Sequence, residues 1–238
     1  MITTLMQTDV VWADPEANRR KLDAMLSALP ETDLVELPEM FSTGFMPDPA
    51  GRAETDGGTL EWMLSKSKEY GFAMAGSIST EEQGRFYNRF YFVEPDGKVT
   101  IYDKRHLFSI SGEDRIYTPG NRRVTVEYRG ARILLQVCYD LRFPETCRNS
   151  LREDGTPDYD LAIFVASWPS RRVSSWNTLL KARAIENQSF VIGVNRVGSD
   201  PECDYPGESV LLDPMGRTVV SCGTGCEVSA TGEMDLRL

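Results

Sequence analysis

The stretch Arg132-Ile133-Leu134-Leu135-Gln136-Val137-Cys138-Tyr139-Asp140-Leu141-Arg142-Phe143-Pro144-Glu145 runs an apolar strand directly into a cysteine. Upstream, Val124 to Tyr128 pairs with it across an Arg129-Gly130 turn. Two further strand ends offer reactive side chains. The run Leu34 to Leu37 stops at Pro38, which cannot donate a ladder hydrogen bond, so Glu39 falls just past a strand. Val99 to Tyr102 is followed by Lys104. Taken singly, a glutamate or lysine after a strand is ordinarily solvated, and a cysteine after an apolar run ordinarily packs. The informative feature is that three such ends occur in one chain.

The remaining segments read in the same style. Ile2 to Gln7 is a strand, and Asp14-Pro15 opens a helix whose Leu22, Met25, Leu26 and Leu29 share one face. Leu60, Met63 and Leu64 mark a second helix, and Phe72 to Ile78 a buried strand. Arg89 to Val93 turns back at Glu94-Pro95-Asp96-Gly97 into the strand that precedes Lys104. Beyond Cys138, a helix is expected over Glu145 to Arg152, a strand over Leu161 to Val165, a helix over Trp176 to Asn187 and a strand over Phe190 to Val194. Ser209 to Leu212 and Thr218 to Ser221 flank the turn Asp213-Pro214-Met215-Gly216. Strands alternating with helices and interrupted by hairpins imply an α/β protein with mixed sheets. No linker or low-complexity segment divides residues 1–238, so one domain is expected.

With 26 basic and 36 acidic residues the net charge is −10, which disfavours nucleic acid and anionic membranes as partners. No basic segment followed by an apolar run opens the chain, and nothing approaches the roughly 20 apolar residues of a membrane span, so a cytoplasmic protein is expected. Five cysteines without the dense spacing of a disulfide scaffold are expected as free thiols, with Cys147 packing on the following helix and neither it nor Cys203 read as a redox switch from its presence alone. His106 is the only histidine; with Cys222 and Cys226 far from it in sequence, no metal site is expected. A cysteine-histidine hydrolase would have to use His106 as its base, and another base has to be considered.

Several ordered blocks together resemble the nitrilase superfamily of carbon-nitrogen hydrolases, over nearly the whole chain. They are Pro38-Glu39, the segment Lys104-Arg105-His106-Leu107-Phe108, the elbow from Cys138 to Glu145, Lys181-Ala182-Arg183-Ala184-Ile185-Glu186-Asn187 and the final hairpin from Ser209 to Gly216. The resemblance implies a four-layer α-β-β-α sandwich of two mixed sheets, with Glu39, Lys104 and Cys138 converging in one pocket. Cys138 would attack an amide carbon with Glu39 as base and then acid, leaving a thioester that water hydrolyses. Lys104 and the backbone N–H of Tyr139 would stabilise the developing oxyanion. Glu113 corresponds to a second active-site glutamate that positions Lys104 or substrate; read from its neighbours alone, it belongs to a charged loop with Asp114 and Arg115.

The elbow and Ser167-Trp168-Pro169 look most like the omega-amidase branch, which hydrolyses the terminal amide of 2-oxoglutaramate or 2-oxosuccinamate. Such a substrate needs a cation for its carboxylate; Arg172 is the candidate chosen, with Arg171 and Arg142 beside it, against ordinary surface ion pairs. Phe45 and Trp168, with Phe41 and Tyr139, are expected to wall the pocket. Alternatives are an N-carbamoyl hydrolase built on the same residues and a non-catalytic acyl-binding or scaffold protein. No cofactor is required. A homodimer is expected, though the chain stops at Met234-Asp235-Leu236-Arg237-Leu238, where relatives of this type continue into a tail.

Overall fold

Two six-stranded sheets organise the protein in a computed structural model that describes residues 1–46, 48–55 and 57–236. Arg237 and Leu238 of the C-terminal segment lie outside the described residues. The first sheet has the order β14 (Val228–Glu233), β1 (Ile2–Gln7), β2 (Leu34–Glu36), β3 (Ala73–Glu82), β4 (Arg85–Val93), β5 (Val99–Asp103). The second has the order β13 (Thr218–Ser221), β12 (Val210–Leu212), β9 (Phe190–Asn195), β8 (Leu161–Ala166), β7 (Ala131–Val137), β6 (Thr125–Tyr128). In each, three parallel strands are bordered by antiparallel ones. A separate hairpin joins β10 (Val197–Ser199) to β11 (Asp204–Pro206).

Because successive strand residues face opposite sides, neighbours in sequence serve different layers. Leu135, Val137, Ile163 and Val165 meet Leu5, Phe90 and Phe92 between the sheets. Leu134 and Phe164 turn outward against Trp176 and Leu180 of α4 (Val173–Asn187), with α3 (Pro144–Cys147) alongside. Met6, Val35 and Met74 turn outward against Leu22 and Leu26 of α1 (Pro15–Leu26) and Met63 of α2 (Gly58–Tyr70). Both faces of each sheet are covered, as parallel strands require, giving the α-β-β-α sandwich. Each fully buried Leu, Ile or Phe contributes about 1.5–3 kcal/mol.

Local rules account for the element ends. Asp14 caps α1 by accepting from the Ala17 N–H, with Pro15 in the first turn. β3 and β4 run longer than the apolar pattern suggests because Gln83 and Gly84, at φ 52° and 73°, make a tight turn suited to the sheet twist. The helix expected over Glu145 to Arg152 closes at Cys147. There the Asn149 amide donates to Tyr159 and Asn187 carbonyls and its oxygen accepts the Tyr159 N–H, outcompeting helical bonding.

Candidate active site

Four strand ends meet at one edge of the sandwich. β2 delivers Glu39, β5 delivers Lys104, β7 ends at Cys138 and β8 leads to Ser167 and Trp168. Three of these are carboxyl ends of parallel strands, the usual place for a site in α/β sheets. They line a cleft with room for about 140 Å³, also bordered by Phe45, Tyr139, Arg142, Arg171 and Arg172. That is space for a small molecule rather than a polymer.

At the floor of the cleft lies a buried ionic cluster, of which Glu39 and Lys104 line the cleft. Glu39 and Glu113 are 0% exposed and Lys104 1%. The Lys104 ammonium donates to Glu39 Oε1 at 2.9 Å and to both Glu113 oxygens at 2.9 and 3.1 Å. Burial works against the ammonium, but Glu113 and Glu39 outweigh it and raise the Lys104 pKa well above the usual value. Burial likewise pushes the Glu113 carboxyl up, against the pull of Lys104. Glu113 does not face the cleft; it grips Lys104 and accepts the Phe108 N–H at 2.6 Å, which fixes the 3₁₀ turns after β5.

Glu39 is held on both oxygens. Oε1 accepts from Lys104 and from the Asn88 amide at 2.8 Å, and Oε2 from the Ser167 N–H at 2.8 Å. Ser167 Oγ also donates to the Glu39 carbonyl at 3.2 Å. Asn88 reaches Glu113 as well, at 3.1 Å.

Cys138 sits on a sharp elbow. Its φ of 45° is a left-handed conformation that costs a non-glycine residue about 1–3 kcal/mol. Asp140 secures it: Oδ2 accepts the Val137 N–H at 3.0 Å and the Tyr102 hydroxyl at 2.7 Å, while Oδ1 accepts the His106 N–H at 3.0 Å and contacts His106 Nδ1 at 2.7 Å. This one carboxylate therefore ties the Lys104 segment to the cysteine elbow. Arg183 of α4 braces the elbow from the other side by donating to the Leu141 carbonyl at 2.5 Å. Desolvation pushes the Cys138 thiol pKa well up, Glu39 adds to this and Lys104 opposes it.

The cleft has an anion-ready wall. The Arg142 guanidinium lies 5.0 Å over the Trp168 ring and that of Arg172 4.9 Å over Phe108. Among the described residues neither has a carboxylate within ion-pair distance. Phe45 faces the Lys104 ammonium at 5.6 Å.

The structure thus brings Glu39, Lys104, Cys138, Tyr139, Phe45, Trp168 and Arg172 to one cleft, with Glu113 directly behind. Phe41 is a correction: it packs in the outer layer, 6.1 Å from Trp62, because the turn after Glu39 points its ring away from the cleft. Cys203 borders the cleft as a free thiol. His106 stacks on Phe143 at 3.7 Å and supports the elbow, and Cys147 is fully buried under α4. Asn88 and Asp140 were not anticipated as parts of the site. An amide within the aromatic run Phe86-Tyr87-Asn88-Arg89-Phe90 is the available signal, because asparagine is depleted in strands.

Among known proteins, the family model described as carbon-nitrogen hydrolase matches residues 2–238. The omega-amidase YafV of Yersinia enterocolitica is 43% identical, over 98% of this chain and 89% of that protein. The 2-oxoglutaramate amidase of Bacillus subtilis is 31% identical, over 98% and 90%. The crystal structure of XC1258 from Xanthomonas campestris, a carbon-nitrogen hydrolase superfamily protein with an arsenic adduct in its active site, superposes with a TM-score of 0.94 at 42% identity, covering 97% of this chain and 89% of that one.

Proposed function

Because the chain belongs to the carbon-nitrogen hydrolase family, and is an amidase of it, we propose that it releases ammonia from the terminal amide of small 2-oxo acid amides, of the 2-oxoglutaramate or 2-oxosuccinamate type. The observation that carries this reading is the pairing, in one small cleft, of a cysteine facing the Glu39–Lys104–Glu113 cluster with arginines that have no carboxylate partner among the described residues. The first feature is suited to an amide, the second to a carboxylate. Relatives named omega-amidase and 2-oxoglutaramate amidase support the same substrate class.

One ammonium against two carboxylates leaves the buried cluster singly negative. A resting thiolate would make it doubly negative. Moving the thiol proton to Glu39 as sulfur attacks the amide carbon neutralises that carboxylate, so the site as a whole stays singly negative while the charge passes to the substrate oxygen. The forked contact to Glu113 needs one Lys104 N–H and the contact to Glu39 a second, so a third remains for that oxygen, together with the Tyr139 N–H. Glu39 then gives its proton to the departing nitrogen, the C–N bond breaks and ammonia leaves a thioester. Water attacks the thioester, giving its proton to Glu39, which returns it to the leaving sulfur. Arg172, with Arg142 lining the same cleft, takes the carboxylate; Phe45 and Trp168 exclude water. No step draws on a metal or cofactor, so dialysis against a chelator is expected to leave the rate intact.

The same reading makes residues 1–238 one catalytic domain and the protein a cytoplasmic homodimer, checked by light-scattering mass and cell fractionation. Among the described residues no helix is long and apolar enough to cross a membrane. The deciding experiment is ammonia release from 2-oxoglutaramate, 2-oxosuccinamate, glutamine, an N-carbamoyl amino acid and a simple nitrile. Turnover confined to the 2-oxo amides, and lowered roughly 10⁴-fold or more by Cys138→Ala, is expected. Preference for the carbamoyl compound would move the protein to another branch.

A further inference from the structure

We propose that Asn88 is a positioning residue that makes Oε2 of Glu39, rather than Oε1, the atom that takes and returns the catalytic proton. This rests on the reading of Glu39 as general base and goes beyond it by naming the atom and what selects it.

A carboxylate oxygen offers about two lone-pair sites. On Oε1 both are taken, by Lys104 Nζ at 2.9 Å and Asn88 Nδ2 at 2.8 Å. On Oε2, among the described residues, one is taken, by the Ser167 N–H at 2.8 Å. A proton arriving at Oε1 would collide with a donor already aimed there, whereas Oε2 has one site open. Lys104 alone would leave each oxygen with a single donor and no preference. Asn88 breaks that tie.

The orientation of the amide follows from its neighbours. Its two N–H bonds meet two anionic oxygens, Glu39 Oε1 and Glu113 Oε1, and the flipped amide would set its own oxygen against both. The consequence is visible on its other side: Asn88 is 1% exposed and its Oδ1 has no hydrogen-bond partner among the described residues. A buried acceptor left unsatisfied is rare in proteins. Here the chain retains it while both donors are spent on the cluster. Asn88 is itself anchored on β4, where its carbonyl accepts the Lys104 N–H at 3.0 Å, so the residue that orients Glu39 also sets the backbone that carries the lysine.

Proton traffic then follows one path. The S–H bond of Cys138 breaks as Oε2–H and the carbon-sulfur bond form. Oε2–H breaks as the leaving nitrogen becomes ammonia, and the water of the second half-reaction reloads the same oxygen before the sulfur reclaims its proton.

The test is the pH dependence of Cys138 alkylation by iodoacetamide, which needs no substrate, alongside that of kcat/KM, in Asn88→Leu and Asn88→Ser. Loss of a donor to the ionised carboxylate raises its proton affinity, so the acid limb of both profiles is expected to move up by about one pH unit. KM should stay within about twofold while kcat falls. Serine is small and polar enough to fold where leucine does not, and cannot span both glutamates, so it must show the same direction. An acid limb that stays put in either folded variant, with only melting temperature or KM altered, overturns the assignment. Glu39→Gln separates the two levels: near-normal turnover in that variant would remove the general-base reading itself, whereas an inactive Glu39→Gln with unmoved Asn88 profiles removes the atom assignment alone.

Discussion

A thiol that is desolvated and faces a carboxylate keeps its proton, and both conditions hold for Cys138. Its reactivity has to come from coupling attack to proton transfer, not from a resting thiolate. The difference in 240 nm absorbance between the wild type and Cys138→Ala at pH 7.5 is therefore expected to be near zero; a full thiolate signal would contradict the coupled step. Arg172 tests recognition separately. Charge-assisted hydrogen bonds contribute about 1.5–3 kcal/mol, so Arg172→Met is expected to raise KM for a 2-oxo amide roughly 10- to 100-fold with kcat little changed. Steady-state kinetics against a neutral amide, for which the loss should vanish, provides the check. At this scale the apolar pattern marks the strand ends that carry Glu39, Lys104 and Cys138 to the cleft, but each alone reads as a solvated or packing residue, and their common role is what the family resemblance implies. Asn88 was not legible, since its contribution depends on which oxygens lie across the sheet. Sequence proximity to Glu39 suggests Phe41 for the pocket wall but says nothing about which way a turn aims a ring, and the ring packs in the outer layer.

Between residue and fold, the elements act through two braces. Asp140 takes four contacts from the Tyr102–His106 segment and the elbow, so it sets the separation of Lys104 from Cys138. Asparagine keeps its size but replaces one acceptor oxygen by a donor facing N–H and O–H groups. Asp140→Asn is expected to lower stability by about 3 kcal/mol and kcat at least tenfold, read by urea melts and single-substrate kinetics. The second brace is α4. A Cβ at Gly193 would lie 2.5 Å from Leu180 Cδ1 and 2.8 Å from Trp176, so only glycine lets the helix seat on β9 and carry Arg183 to the elbow. Gly193→Ala should cost about 1–3 kcal/mol and lower activity in parallel; unchanged melts would show that the helix has slack. Most strands and the longer helices were readable from periodicity. The exceptions have physical reasons: β14 is a mixed polar run that gains its identity by pairing with β1 at the opposite end of the chain, β10 and β11 are too short to show a period, and α3 is cut off by Asn149.

Across the whole molecule the same burial that tunes the site makes folding sensitive to base. The sheets enclose one core and the helices two more, and thiols lie within these layers: Cys147 under α4 and Cys222 between the sheets. Burial raises the Cys147 thiol to about 11 and the Cys222 thiol to about 12, against an ordinary value near 9. Between these limits the unfolded chain has released protons that the folded one retains, so stability falls as pH rises. Below pH 9 both states hold their protons and the contribution is complete; it is lost as pH passes through 9 to 11 for Cys147. A shift of about two units corresponds to about 3 kcal/mol for that thiol, which is fully buried and so unscreened by solvent. Urea melts from pH 8 to 11 should show a steepening loss of stability in the wild type. Cys147→Ala should begin lower, because it opens a small cavity, yet lose less between pH 9 and 11. The difference in slope isolates the thiol from the cavity, and parallel curves for the two proteins would mean that other buried groups, such as the tyrosines raised by the same desolvation, carry the alkaline limit instead.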